Sequence, residues 1–365
     1  MLVILIKKRV KAMKFIFVTR RPLPPLFLGG AEITHNFLAN KLVEYGYEVI
    51  FIGSLIDPNY PTKERYDYYY NTLKNNKDIH FISENNNGIF YSYKGINCLA
   101  LSQESILPVL GNLLAKKEKI EAVITSLEGC SDIIKLAKSS SVKTIGWLHS
   151  ANTEGMEAIK GKPDILLSTS EFIQKEAVKY SKIKNYVFYP GFQSVQPLKK
   201  TGLALTFINP VQEKGADFIL SLAQKLPQQK FICVEGWYKN KDFCSKMGKN
   251  IQYFPPQTDM TTIWKKTKIL LVPSIVPEAF GRVIVEAHMY GIPVIAHNIG
   301  GIPEAMNGAS ILKQELNIQD WISSIKKFSD IVYYEKSREE ALLAAQKFKR
   351  NIVDEFLNFL NLNNT

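Results

Sequence analysis

No stretch of this chain approaches the roughly eighteen consecutive apolar residues that a membrane-spanning helix requires. A spanning segment is therefore not expected, although 46% of the 365 residues are hydrophobic. Cysteine is scarce. Cys98, Cys130, Cys233 and Cys244 are the four present, with no C-x-x-C pair among them, which argues against a disulfide framework or a zinc site and makes a reducing cytoplasm the expected setting. A secretory leader is not expected: Met1–Ala12 runs apolar first and basic second, the reverse of such a leader, and Met13 is a candidate start. The net charge of +12 would suit a nucleic-acid or membrane partner. The lysines, however, fall in scattered pairs such as Lys199–Lys200 and Lys265–Lys266, and no helix carries a basic stripe. No nucleic-acid partner is expected. G-x-G-x-x-G is also absent, so a dinucleotide site has no support.

What is present is concentrated in Val272–Ala305. Ile269–Val272 is a short apolar run stopped by Pro273, the pattern of a buried strand. Phe280–Tyr290 carries Val283, Ile284, Ala287 and Met289 and is closed by Gly291 and Pro293, which predicts a helix. Pro293–Ala296 reads as a second buried strand. The resulting βαβ crossover places a ligand site outside the carboxyl ends of its strands. Two carboxylates bracket the helix: Glu278 just before it and Glu286 along it. If every residue between them were helical, ~1.5 Å per residue would set them roughly 12 Å apart, about the reach of a sugar diphosphate. The first-turn amides of Phe280, Gly281 and Arg282 then lack helical acceptors and offer an anion site. Gly281 leaves room for close approach. Arg282 either adds a charge-assisted contact or points to water.

The run E-A-F-G-R-V-I-V-E from Glu278 to Glu286, followed by G-I-P-V-I-A and G-G-I-P-E, resembles the Glu-x7-Glu signature of retaining glycosyltransferases of the GT-B fold, family four in particular. The resemblance implies that Glu278 meets hydroxyls of the donor sugar and Glu286 the nucleoside ribose. It implies an α/β architecture of two Rossmann-like doubly wound domains facing a central cleft. On that basis residues 13–195 form the acceptor-side domain and 203–345 the nucleotide-sugar domain, and 346–365 hold a terminal helix that crosses back to the first domain.

Other segments fit this frame. Lys14–Thr19 reads as the first strand, Ala31–Tyr45 as a helix and Glu48–Gly53 as the next strand. Gly29 and Gly30, in G-G-A-E, match the family's glycine loop near the donor phosphates and acceptor. Asp57–Asn87 is polar, and its tyrosines at 66, 68, 69 and 70 either stack on a sugar or cap a core. Ile89–Tyr93 and Ile96–Leu101 form a predicted hairpin around Lys94–Gly95. His149 follows the predicted strand Lys143–Trp147 directly, in the place where the family has a His that approaches the donor sugar and phosphate. Ser170 is a predicted N-cap, 190–202 a linker, and Arg338–Phe348 and Ile352–Leu360 late helices. In Asn209–Gly215, N-P-V-Q-E-K-G, Lys214 and Gly215 match the family's diphosphate-binding segment. Asn209 stands where Arg is usual. Arg282, on the same presumed pocket, is the candidate replacement.

The chemistry so implied is transfer of a hexosyl group from a UDP-, GDP- or ADP-linked sugar to an acceptor glycan, lipid-linked sugar or small molecule, with retention at the anomeric carbon. Glu278 and His149 would serve the sugar. Lys214, the helix amides and Arg282 would serve the leaving diphosphate. No Asp-x-Asp occurs, and neither a metal nor another cofactor is expected. By analogy, peripheral contact with anionic lipid on the inner face of the membrane suits the basic surface. Alternatives are a 2-epimerase or phosphorylase of the same fold, or a non-catalytic sugar or nucleic-acid binder.

Overall fold

The computed structural model describes residues 13–26, 29–56, 58, 61–85, 88–116, 118–257 and 259–361. Met1–Ala12, with the question of Met13 as the start, and the end of the proline-rich loop at 27–28 lie outside these. The first half contains β1 (Lys14–Pro22), β2 (Glu48–Ser54), β3 (Ile79–Asn85), β4 (Gly88–Tyr93), β5 (Ile96–Leu101), β6 (Ile120–Thr125), β7 (Thr144–Leu148), β8 (Ile165–Ser168) and β9 (Asn185–Val187). They form one sheet in the order β3-β4-β5-β2-β1-β6-β7-β8-β9, parallel except where β4 pairs with its two neighbours. The second half contains β10 (Ala204–Ile208), β11 (Phe231–Val234), β12 (Ile251–Phe254), β13 (Thr267–Val272), β14 (Val294–His297) and β15 (Ile311–Lys313). Their order is β12-β11-β10-β13-β14-β15, all parallel.

Side-chain alternation explains why both sheets are covered on two faces. Phe15 and Phe17 of β1 enter one core cluster while Ile16 and Val18 enter another. Leu271 and Ile269 of β13 likewise oppose Leu270 and Val272. Strands buried on both faces read as continuous apolar runs, and helices must close over each face. The last helix, Ile352–Asn361, follows the second half in sequence but packs on the first. Ile352, Val353, Phe356 and Leu360 join the core around Phe15, and the Phe356 ring meets Phe15 at 5.7 Å. Burial at about 1.5–3 kcal/mol per large apolar side chain is ample to hold it there.

Two elements differ from the sequence reading. The polar stretch after Asp57 contains a helix, Lys63–Asn75, capped by the Thr62 side chain, and strand β3. That helix buries only Tyr69 and Leu73, so its apolar period is too thin to see. Tyr69 is a core residue whose hydroxyl shares a hydrogen bond with Tyr91, whereas Tyr68 is exposed. The helix expected over 338–348 runs from Ile331 to Gln346, started by the Asp330 carboxylate on the amides of Val332 and Tyr333. Exposed Ile331, Val332 and Leu343 blur its apolar face. The hairpin turn is as expected, with both Lys94 and Gly95 at positive φ.

Candidate active site

Each sheet has a point where successive parallel strands are added on opposite sides, between β1 and β6 in the first and between β10 and β13 in the second. Such reversals open a crevice at the carboxyl ends of the strands. The loops leaving β10 and β13 build most of the site.

The loop after β13 is fixed through its backbone. Glu278 forms a parallel bridge to Gly300, and its carbonyl accepts the Gly301 amide at 2.7 Å. A Cβ on Gly300, which has φ +61°, would stand 2.5 Å from the Glu278 carbonyl oxygen, and one on Gly301 would stand 2.3 Å from that of Ala279. The paired glycines of G-G-I-P-E therefore admit the strand-like approach that holds Glu278 in place. The helix starts at Arg282, with Gly281 as a left-handed N-cap at φ +92°, two residues later than the sequence suggested. Phe280 precedes it, and its ring is buried among Tyr189, Phe192 and Phe348. The amides free of helical acceptors thus shift toward Arg282 and Val283, since Ile284 already donates to Gly281.

The loop after β10 meets it. Gly215, at φ +89°, passes so close to Pro273 that a Cβ would sit 2.2 Å from the proline carbonyl oxygen. Ile275 and Val276 donate their amides to the Glu213 carbonyl. This apposition puts Lys214 Nζ 2.9 Å from Glu278 Oε2, with side chains only 20% and 10% exposed. Ser274 Oγ donates to the other Glu278 oxygen. One turn into the helix, Arg282 Nη2 lies 3.2 Å from Glu286 Oε1. Burial pushes the Glu286 carboxyl above its usual range, against the pull of Arg282.

Arg282 does not point to water. Its Nη1 donates to Thr34 Oγ1 and to the Gly191 carbonyl, both at 3.1 Å, and its guanidinium lies 4.6 Å from the Phe192 ring centre. The residue therefore ties the second half to the first. Asn209 holds no charge for a phosphate. At φ +62° it adopts a backbone that asparagine tolerates better than most residues. Its side chain is buried beneath Gly236 and accepts the Trp237 amide at 3.2 Å.

The first half supplies the facing wall. A Cβ on Gly30 would lie 3.2 Å from Arg282 Cδ, and one on Gly29 would lie 3.2 Å from Trp237 Nε1, so the glycine pair faces both across the cleft. His149, just past β7, places Nε2 3.0 Å from His35 Nε2. Both rings lie against Trp147, at 5.1 Å for His35 and 5.0 Å for His149. Burial drives both imidazoles toward the neutral form. His35 falls to about 3, and His149 is lowered further by His35, Arg21 and Arg282. One ring must then donate and the other accept, which fixes their tautomers relative to each other.

Sequence reasoning missed three residues here. His35 lies mid-helix and carries no motif, Trp237 follows β11 in a loop, and Arg65 comes from the helix that went unseen. Arg65 Nη2 donates to the Trp237 carbonyl, a second tie across the cleft. A third is Glu304, last residue of G-G-I-P-E, whose carboxylate accepts the Glu171 amide at 2.9 and 3.0 Å. It shares with Ser170 the capping of a helix in the other half.

Residues 192–347 match the family described as glycosyl transferases group 1. This span contains the β10 and β13 loops and the helix between the two glutamates. The second half is a glycosyl transferases group 1 domain. Curated relatives align with part of the chain. D-inositol 3-phosphate glycosyltransferase of Mycobacterium leprae is 32% identical over 29% of this chain and 27% of its own length. That of Mycolicibacterium smegmatis is 29% identical over 47% and 44%. The chain thus spans less than half the length of these relatives. Solved structures cover the group 1 domain and the first half together. Anabaena HepE, in complex with UDP and glucose, superposes with TM-score 0.73 at 15% identity over 96% of this chain and 99% of that one. A glycosyltransferase from Rickettsia africae gives 0.71 at 17% over 97% and 99%. At these identities the likeness establishes the fold, which is GT-B.

Proposed function

We propose that this protein is a retaining glycosyltransferase that moves a hexosyl group from a nucleotide-diphosphate sugar to a hydroxyl of an acceptor glycan, lipid-linked sugar or small molecule. The observation that carries this reading is the Lys214–Glu278 pair at the reversal point of a group 1 domain, with Glu286 and Arg282 one stage along the same helix. Lys214 and the free amides at Arg282 and Val283 supply positive potential where charge develops on the leaving diphosphate. Glu278 retains acceptor capacity for hydroxyls of the sugar, and Glu286 for those of the ribose. Neutral His149 acts as a hydrogen-bonding group toward the sugar, not as a cation. Gly29 and Gly30 allow close approach from the opposite wall. A uridine nucleotide is favoured, because Anabaena HepE is described in complex with UDP-glucose as well as UDP.

Transfer is proposed to need no metal. Among the described residues no group of three or more His, Cys, Asp or Glu is placed to hold one, and the cations that would face the diphosphate are side chains. No helix among the described residues is long and apolar enough to cross a membrane, and peripheral contact with anionic lipid is the proposed route to a lipid-linked acceptor. A thermal-shift panel of UDP, GDP and ADP tests the donor reading, since a ligand at a hundred times its Kd stabilises by about 2.7 kcal/mol. One nucleotide should stand out, and a flat response to all three would overturn the reading. Anomeric configuration of the product by NMR tests retention, and turnover in EDTA tests metal independence.

A further inference from the structure

The helix Gly30–Glu44 carries two adjacent side chains that reach the site from behind the glycine pair. Thr34 Oγ1 accepts from Arg282 Nη1 at 3.1 Å, and His35 Nε2 meets His149 Nε2 at 3.0 Å. The first contact ties the two halves together. The second joins His35, which no motif marks, to the residue proposed to face the donor sugar. The packing holds His35 firmly for this contact. Its ring stacks on Trp147 at 5.1 Å, lies 5.9 Å from the ring of Phe17, and is part of a residue only 3% exposed. The two imidazoles stand edge to face, with 4.9 Å between ring centres and 66° between planes.

Two neutral imidazoles share a hydrogen bond through their Nε2 atoms in one of two ways. Either His35 donates and His149 carries its proton on Nδ1, or His149 donates and His35 carries its proton on Nδ1. The proton on Nδ1 then needs an acceptor of its own. Neither Nδ1 has a hydrogen-bond partner among the described residues. A buried N–H left without an acceptor is a rare and costly defect. His35 lies inside the first half, where such an N–H would be stranded. His149 is partly exposed just past the carboxyl end of β7, and the charge of Arg282 from the second half reaches it. His149 is thus the ring whose Nδ1–H finds an acceptor in the cleft.

We propose that His35 is a positioning residue for transfer: it donates from Nε2 to His149 Nε2 and so holds His149 as the Nδ1–H tautomer, which aims an N–H donor at an oxygen of the donor sugar. The proposal rests on the donor reading above, in which His149 meets that sugar, and it gives the contact a direction, from protein to sugar. The hydrogen bond at one imidazole nitrogen decides which nitrogen carries the proton. Without His35 the His149 ring takes either tautomer and turns about its side-chain bonds, and a donor aimed at the sugar becomes an acceptor for part of the time.

The test uses the whole protein. Nitrogen NMR spectra of the imidazoles at neutral pH, assigned among the five histidines by single substitution, should show His35 as the Nε2–H form and His149 as the Nδ1–H form. Kinetics use the nucleotide sugar of the base found by thermal shift, read as transfer or, without an acceptor, as hydrolysis. His35→Leu should lower kcat by about tenfold to a hundredfold, the range over which the outer partner of an oriented histidine acts. Nucleotide affinity should be unchanged, which is the control for folding. His35→Gln, whose amide N–H can stand where Nε2–H stood, should recover most of the loss. In a His149→Ala background, His35→Leu should cost nothing further, because nothing is left to position. The opposite tautomers, an unaltered kcat in His35→Leu, a Gln variant no better than Leu, or an equal loss with and without His149 would each overturn the proposal. If His149→Ala leaves turnover unchanged while the nucleotide binds, the donor reading of His149 fails and takes this role with it, whereas the spectra report the His35–His149 bond by themselves.

Discussion

The two sheets present their strand reversals to the same cleft with opposite charge arrangements. After β10 and β13 two cations are matched one to one with two carboxylates, Lys214 with Glu278 and Arg282 with Glu286. After β1 and β6 a single arginine is divided between Glu32 and Glu128. One topology therefore carries two different arrangements of ion pairs. The strands decide where a ligand lies, and the loop residues decide its charge.

The largest effect should come from the matched side. Glu278→Gln keeps the size but weakens both the Lys214 pair and the proposed contact to the sugar, so turnover should fall about 10²- to 10³-fold, as when one transition-state hydrogen bond is lost. Nucleotide affinity should change far less, and steady-state kinetics with a binding measurement separate the two. A loss of affinity with turnover unchanged would place Glu278 in ground-state binding only.

Lys214→Ala comes next. It removes the cation and leaves Glu278 buried without its counter-ion where the diphosphate is proposed to lie, so nucleotide-sugar affinity should drop by about 2–3 kcal/mol, the lower part of the range for breaking a desolvated charge pair. Calorimetry reads this directly. If Arg282→Ala costs as much in affinity, the guanidinium faces the phosphates as well as the opposite wall. If it costs no more than an exposed lysine, its role is the tie to Thr34 and Gly191.

Acid should strain both halves. His35 in the first half and His288 in the second are buried, and burial holds each near pKa 3 against an ordinary 6.5. The unfolded chain takes up these protons below about pH 6.5, while the folded protein refuses them until near pH 3. Stability is thus complete above pH 6.5 and declines as pH falls, by on the order of 2 kcal/mol per histidine at pH 5. Urea midpoints at pH 7.5 and 5 test this, and His35→Gln should remove its share.

The smallest effect lies on the seam. Ser170 caps its helix through the Ile173 amide and donates to the Ala279 carbonyl of the other half. Ser170→Ala should cost about 1 kcal/mol, read as a shift in the urea midpoint. Glu304 is a second acceptor for the same helix end and limits the loss.

Much of the group 1 side could be read from residue order because its signals are local. Glu278, Gly281, Glu286 and the two glycines at 300–301 lie within one strand-helix-strand unit, and each answers to a steric or periodic requirement of that unit. The first half is different. Its helix Lys63–Asn75 buries two residues, Glu32 and Arg21 meet only because β1 and the following helix fold against each other, and Glu128 arrives from beyond β6.

Order along the chain alone determined the two α/β halves, the buried strands, the hairpin at Lys94–Gly95 and the placing of two carboxylates around one helix, because apolar period, glycine and proline act over a few residues. Only the tertiary structure decided that Lys214 is Glu278's counter-ion, that Arg282 spans the cleft and that His149 shares a hydrogen bond with His35. Hydrogen bonds and charge pairing act over about 3 Å, and which distant side chains come that close depends on how whole sheets and helices pack.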